Sequence, residues 1–131
     1  MDNHCKDGVH ELLKKDFPFV KVILREDNVG FGKGCNIGFA AYDAEYTLFL
    51  NPDAEINIDN IKVLSHFLDT HNKVSAVAPS IHYEEGLQYA GSMPILYPKT
   101  DYTFTSQPIL PNQAPFETNW LCGAILMVRS T

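Results

Sequence analysis

Five residues, Tyr46-Thr47-Leu48-Phe49-Leu50, are nearly continuous in apolar character and end abruptly at Asn51-Pro52-Asp53; no other stretch constrains this chain's fold as much. Strands buried on both faces of a parallel sheet read this way, because neither face has to meet water. Val20 to Leu24 is a second β-rich run, and the two together read as interior strands of a parallel sheet. Between them, Gly34 to Tyr42 is rich in small and apolar residues behind a glycine-rich turn, which suits the crossover helix of a βαβ unit. Such a crossover is expected to be right-handed.

Further elements follow from periodicity. Leu12 and Leu13 among Glu11, Lys14 and Lys15 suggest a short amphipathic helix from Val9 to Lys15, entered from Asp7-Gly8 and stopped by Phe17-Pro18. With Asp59 as N-cap, Ile61, Leu64 and Leu68 joined by Val63 and Phe67 make a wide apolar face that ends near His71-Asn72. Val74 to Ala78 reads as a short strand closed by Pro79, and Trp120 to Val128 as a late apolar strand. The Pro-, Thr- and Tyr-rich stretch from Tyr83 to Pro115 reads as loops with short strands. At 131 residues with 45% hydrophobic content, the chain is sized for a single domain over residues 1–131.

Charge and cysteine usage exclude several classes. Ten Lys and Arg against sixteen Asp and Glu, with no basic cluster longer than Lys14-Lys15, leave no stripe for tracking phosphates, so nucleic acid is not an expected partner. Cys5, Cys35 and Cys122 are far apart and odd in number, which signals neither a disulfide framework nor a zinc site and suits a reducing cytoplasm. No apolar run approaches the roughly 20 residues of a spanning helix.

Two segments invite chemistry. Asn28-Val29-Gly30-Phe31-Gly32-Lys33-Gly34 places glycines where backbone N–H groups can approach an anion at a helix start. It matches neither the dinucleotide fingerprint, which needs Gly at Cys35, nor the P-loop, which needs Ser or Thr at Gly34, so a plain tight turn stays open. Asp53 stands where open α/β sheets place ligands, at the carboxyl end of a strand. It can be a turn residue, or the hard oxygen ligand that Mg²⁺ or Mn²⁺ bridging a diphosphate requires. The five histidines lack ligand spacing, and Tyr83, Tyr89, Tyr97 and Tyr102 serve either loop packing or stacking on a sugar.

Taken in order, four segments resemble family 2 glycosyltransferases of the rhamnosyltransferase-like branch. Asp2-Asn3-His4-Cys5-Lys6-Asp7-Gly8 is similar to the D-N-x-S-x-D-G segment, with Cys5 where Ser is usual. The stretch from Asn28 to Gly38 resembles the N-x-G-F-a-x-G-x-N-x-G loop and helix. Leu50-Asn51-Pro52-Asp53 resembles the L-N-P-D segment used in place of D-x-D, and Trp120-Leu121-Cys122-Gly123-Ala124 the W-x-x-G-A segment opening a late strand. The resemblance implies an α/β fold of GT-A type, a Rossmann-like mixed sheet flanked by helices. It implies that Asp2 contacts the nucleobase, that Asn28 and Asn36 shape the nucleotide pocket, and that Asp53 holds Mg²⁺ or Mn²⁺ on the diphosphate. Gly30, Lys33, Asn51, Trp120, Gly123 and Ala124 complete the implied substrate-binding set.

The same resemblance places a first strand before Asp2 and the catalytic base beyond Thr131, so the chain is expected to be an incomplete domain with no catalytic residue of its own. Its parent is expected to transfer a sugar, with inversion, from dTDP-rhamnose or a UDP-hexose to a glycan or lipid-linked acceptor in cell-surface polysaccharide synthesis. That parent would be cytoplasmic or peripheral at the inner face of the membrane. Unpaired sheet edges would favour a homo-oligomer. Two alternatives stand beside this: a non-catalytic fragment that binds nucleotide or a complementary chain, and a nucleotidyltransferase-like protein using Lys33.

Overall fold

The computed structural model describes residues 1–83, 86–89, 114–118 and 121–130, and divides into two compact units, Met1–Ala44 and Glu45–Thr131. Trp120, Tyr97 and Tyr102 lie outside the described residues. The architecture is α/β, as the sequence indicates, with helices α1 (Val9–Asp16), α2 (Phe31–Phe39) and α3 (Ile58–Thr70). The strands are β1 (Tyr46–Leu50), β2 (Ala76–Val77), β3 (Ile81–Tyr83), β4 (Gly86–Tyr89) and β5 (Ile125–Arg129). Among the described residues no helix is long and apolar enough to cross a membrane.

In the first unit, α1 begins after Gly8, whose φ of 75° belongs to the left-handed region that glycine enters without strain. Helix α2 starts three residues before the expected Gly34, because the chain breaks direction at Gly30 and the Gly30 carbonyl already accepts from the Gly34 N–H at 3.0 Å. Three glycines within α2 make it a poor helix by propensity. Of the three, Gly34 is buried, and a Cβ built there would lie at ordinary contact distance, 3.7 Å from Met1 and 3.8 Å from the Asn3 amide.

The expected strand at Val20–Leu24 is not formed as a regular strand. Only Leu24 takes part in a bridge, parallel to Asp2, with Asp2 N–H on the Ile23 carbonyl at 2.8 Å and Arg25 N–H on the Asp2 carbonyl at 3.0 Å. One residue pair cannot extend into a ladder, and Val20 and Leu24 remain exposed. The βαβ crossover expected from this segment therefore has no first strand of regular length.

In the second unit, β5 lies between β1 and β2 and is antiparallel to both, so β1 and β2 run in the same direction with a reversed strand between them. The sheet thus holds strands of both directions. The expectation that β1 is an interior strand of a parallel sheet is corrected: it is an edge of the described sheet, paired antiparallel from Tyr46↔Arg129 to Leu50↔Ile125. Nor is it buried on both faces, since its residues are half-buried and Leu50 is exposed.

The core forms where α3 covers this sheet. Leu64, Leu68 and Met127 are buried together, with Tyr46, Leu48, Ile56, Ile61, Val74 and Val77 packed around them. Helix α3 begins earlier than expected, with Asn57 rather than Asp59 as its cap: Asn57 Oδ1 accepts from the Asn60 N–H at 2.8 Å. Asp59 instead lies in the first turn, where its negative charge suits the helix dipole, and pairs with Lys62 at 3.2 Å. Val63 is 65% exposed, so the apolar face is narrower than the sequence suggests and is carried by Ile61, Leu64 and Leu68.

Arg129 joins its own strand, β5, to α3 and β1. It donates to the Leu68 carbonyl at the end of α3 and to the Tyr46 hydroxyl at 3.2 Å, and its guanidinium lies over the Tyr46 ring. Tyr46 in turn donates to Asp69 at 2.5 Å. Hydrogen bonding to the Asp69 carboxylate, with burial, raises the Tyr46 hydroxyl above its ordinary pKa. Separately, β3 and β4 pair antiparallel as a hairpin with a register shift between Ile81 and His82, in keeping with the short strands expected at the start of the middle stretch.

Candidate functional site

In the first unit the Asn28–Gly30 loop is met by Asn3, the neighbour of Asp2. Asp2 is fixed by its backbone bridge to Leu24, and its Oδ1 accepts from the Cys5 N–H at 2.7 Å, closing a turn in which His4 is held at φ 74°. That hydrogen bond holds the Asp2 carboxyl below its ordinary pKa, outweighing the opposing effect of desolvation. The Cys5 thiol, hydrogen-bonded to the same carboxylate, is raised. The other oxygen, Oδ2, faces His10 Nδ1 at 3.9 Å, while His10 Nε2 lies 3.1 Å from Glu11.

Next along the chain, Asn3 reaches the glycine loop with both ends of its amide. Its Nδ2 donates to Asn28 Oδ1 at 2.9 Å and to the Gly30 carbonyl at 3.3 Å, and its Oδ1 accepts from the Val29 N–H at 3.0 Å. Asn28 Oδ1 also accepts from the Gly30 N–H at 2.9 Å. Gly30 sits at φ 81° and ψ 167°, a region that is essentially glycine's alone. From that point α2 begins without a side-chain cap. Its first-turn N–H groups have no intrahelical partners, as at any helix start. Lys33 and Asn36 both lie exposed on α2.

In the second unit, the residues that follow β1 meet those that precede β5. The Asn51 N–H donates to the Ala124 carbonyl at 2.8 Å, and the Asn51 carbonyl accepts from the Ala54 N–H at 3.1 Å, closing the turn that carries Pro52 and Asp53. Asp53 is exposed there, and no protein group among the described residues hydrogen-bonds or pairs with its carboxylate. Gly123 and Ala124 form the turn before β5 rather than opening the strand itself, because the ladder with β1 begins at the Leu50↔Ile125 pair. Among the described residues no group of three or more His, Cys, Asp or Glu side chains could hold a metal ion. Among the described residues Asp53 would give a cation a single carboxylate, and Mg²⁺ commonly takes its other ligands from water and substrate phosphates.

From the sequence, Asn3 was not singled out and Arg129 was read only as the end of an apolar strand. Asn3 lies inside the quoted D-N segment, but only the fold shows its amide facing the glycine loop. For Arg129 the signal was an arginine closing an apolar strand, which reads as a strand terminus until its partners on α3 and β1 are seen.

The family model for glycosyl transferase family 2 matches residues 1–126. The chain belongs to that family. Two curated relatives, both named N-acetylglucosaminyl-diphospho-decaprenol L-rhamnosyltransferase, come from two strains of Mycobacterium tuberculosis, CDC 1551 / Oshkosh and ATCC 25618 / H37Rv. Each is 24% identical over 155 residues, covering 98% of this chain and 50% of the relative. This family 2 chain thus spans about half the length of the curated relatives it matches, and no solved structure matches it. The resemblance carried by the four motifs holds at the level of the family and of its rhamnosyltransferase-like members.

Proposed function

We propose that these residues carry the donor-binding part of a glycosyltransferase that moves a sugar, with inversion, from a nucleotide diphosphate donor to a glycan or lipid-linked hydroxyl in cell-surface polysaccharide synthesis. The observation that carries the reading is the family match over residues 1–126. The relatives' name, which specifies rhamnose and a diphospho-decaprenol acceptor, favours dTDP-rhamnose over a UDP-hexose as donor and a lipid-linked acceptor over a free glycan.

In this reading Asp2 meets the nucleobase, and Asn28, Gly30, Lys33 and Asn36 shape the nucleotide pocket. Asn51, Trp120, Gly123 and Ala124 belong to the substrate side. Asp53 holds Mg²⁺ or Mn²⁺, which its free carboxylate on a tight turn suits, and the cation would neutralise charge on the departing diphosphate. The Asn51–Ala124 hydrogen bond keeps the Asp53 turn in place as β1 ends. Residues 1–131 act as one donor-binding domain at the inner face of the membrane. Copies associate through β1 and β2, each paired on one side only among the described residues.

Thermal-shift measurements with dTDP, UDP and other nucleoside diphosphates, each with and without Mn²⁺, test the proposal, since a ligand that binds the native state raises its melting temperature. Stabilisation by dTDP that depends on Mn²⁺ is expected. An unchanged melting temperature across the panel overturns the reading.

A further inference from the structure

We propose that Asn3 is a positioning residue for nucleotide binding, acting through the Asn28–Gly30 loop rather than by touching the nucleotide itself. This rests on the donor-binding reading above. A side-chain amide offers two N–H donors and one carbonyl acceptor, and Asn3 directs all of its observed hydrogen bonds to three consecutive residues of the loop. It meets the Asn28 side chain at 2.9 Å, the Val29 N–H at 3.0 Å and the Gly30 carbonyl at 3.3 Å. Those contacts span 25 to 27 positions in sequence, so the loop cannot make them by local turn chemistry.

The position of Asn3 is itself determined from behind. Its neighbour Asp2 is tied by backbone hydrogen bonds to Ile23 and Arg25, and by its carboxylate to the Cys5 N–H. On the loop, Asn28 Oδ1 receives both the Asn3 amide and the Gly30 N–H, so Asn3 orients the same side-chain oxygen that restrains Gly30. Removing Asn3 would free Asn28 to rotate and would release the Gly30 carbonyl that accepts from Gly34 in the first turn of α2. A loop held in a glycine-only conformation relaxes when its outside supports are lost. Residues that orient a binding group from behind commonly matter almost as much as the group they orient.

The experiment is calorimetric titration of the whole chain with dTDP and UDP in the presence of Mn²⁺, using the parent, Asn3→Ala, Asn28→Ala and the double variant. Asn3→Ala is expected to weaken nucleotide binding about tenfold, the scale of outer-shell losses. The double variant should lose less than the sum of the two single losses, because the Asn3–Asn28 hydrogen bond is counted in both. Asn3→Asp adds a pH profile. At neutral pH the introduced carboxylate has no proton to give Asn28 Oδ1 or the Gly30 carbonyl, whereas its protonated form restores one donor. Binding by Asn3→Asp should therefore recover relative to the parent as pH falls, which general destabilisation would not produce. If the parent binds and Asn3→Ala binds equally well, or if the single effects add, the inference is overturned while the donor-binding reading stands. If the parent binds no nucleoside diphosphate, the reading fails and takes the inference with it.

Discussion

The Asn51 N–H donates to the Ala124 carbonyl oxygen at 2.8 Å, joining the turn after β1 to the turn before β5. The antiparallel ladder from Tyr46↔Arg129 to Leu50↔Ile125 ends at this bond, so two motifs distant in sequence leave the sheet at the same place. The Asp53 turn is thereby anchored to the sheet, and its carboxylate is displayed with no protein partner among the described residues.

Asp53→Ala is expected to leave the melting temperature of the free chain nearly unchanged, because the side chain is exposed and makes no hydrogen bond among the described residues. It should abolish the Mn²⁺-dependent part of nucleoside diphosphate binding. Calorimetry showing equal affinity for parent and variant with Mn²⁺ present would remove Asp53 as the cation ligand.

Leu68 is fully buried and Leu64 nearly so, whereas Val63 on the same helix is 65% exposed. Leu68→Ala should cost roughly 2 to 5 kcal/mol, the range for a large-to-small change in a core. Val63→Ala should stay within about 0.5 kcal/mol, as surface changes do. Urea unfolding of the two variants measures the difference, and similar costs would contradict the placement of the core beneath α3.

Gly30→Ala meets no steric obstacle, since a Cβ built there has no atom within 4 Å. The cost is expected from conformation alone: φ 81° with ψ 167° is reached by alanine only at about 1 to 3 kcal/mol. Either the protein is destabilised by that amount or the loop relaxes and nucleotide binding weakens. Unfolding and titration of the variant read the two outcomes, and a variant unaltered in both would show that Gly30 is not held as described.

For Asp2, the Cys5 N–H lowers the folded pKa below the unfolded value of 3.8. The folded chain therefore holds this proton less tightly than the unfolded chain. The resulting stabilisation is complete above 3.8 and is lost as pH falls through the lowered folded value. Asp2→Asn should remove that contribution, so its melting temperature should converge with the parent's as the solution is acidified. Curves that run parallel down to the acid limit would show that the carboxylate is not the group responsible.

Hydrophobic order along the chain was sufficient for α1, for the bounds of β1 and for the Leu64 and Leu68 face of α3, because the spacing of apolar residues marks where a regular element runs, although it did not report burial in α1, which buries no residue, or in β1, which is half-buried. The motifs were legible too, since short runs such as Leu50-Asn51-Pro52-Asp53 combine a strand end with turn chemistry that local rules describe. Strand direction was not legible. An apolar run looks alike in a parallel and an antiparallel sheet, and only pairing showed that β5 runs antiparallel between β1 and β2. The segment Val20–Leu24 shows the same limit from the other side: its composition suits a strand, but a strand exists only where a neighbour supplies hydrogen bonds along its length. The cap of α3 passed from Asp59 to Asn57 because the choice depends on which side chain can turn back to a free N–H. Asn3 and Arg129 were hidden for the most general reason. Sequence records a side chain's donors and acceptors, while their partners lie dozens of residues away and are chosen only when tertiary structure brings them within hydrogen-bond distance.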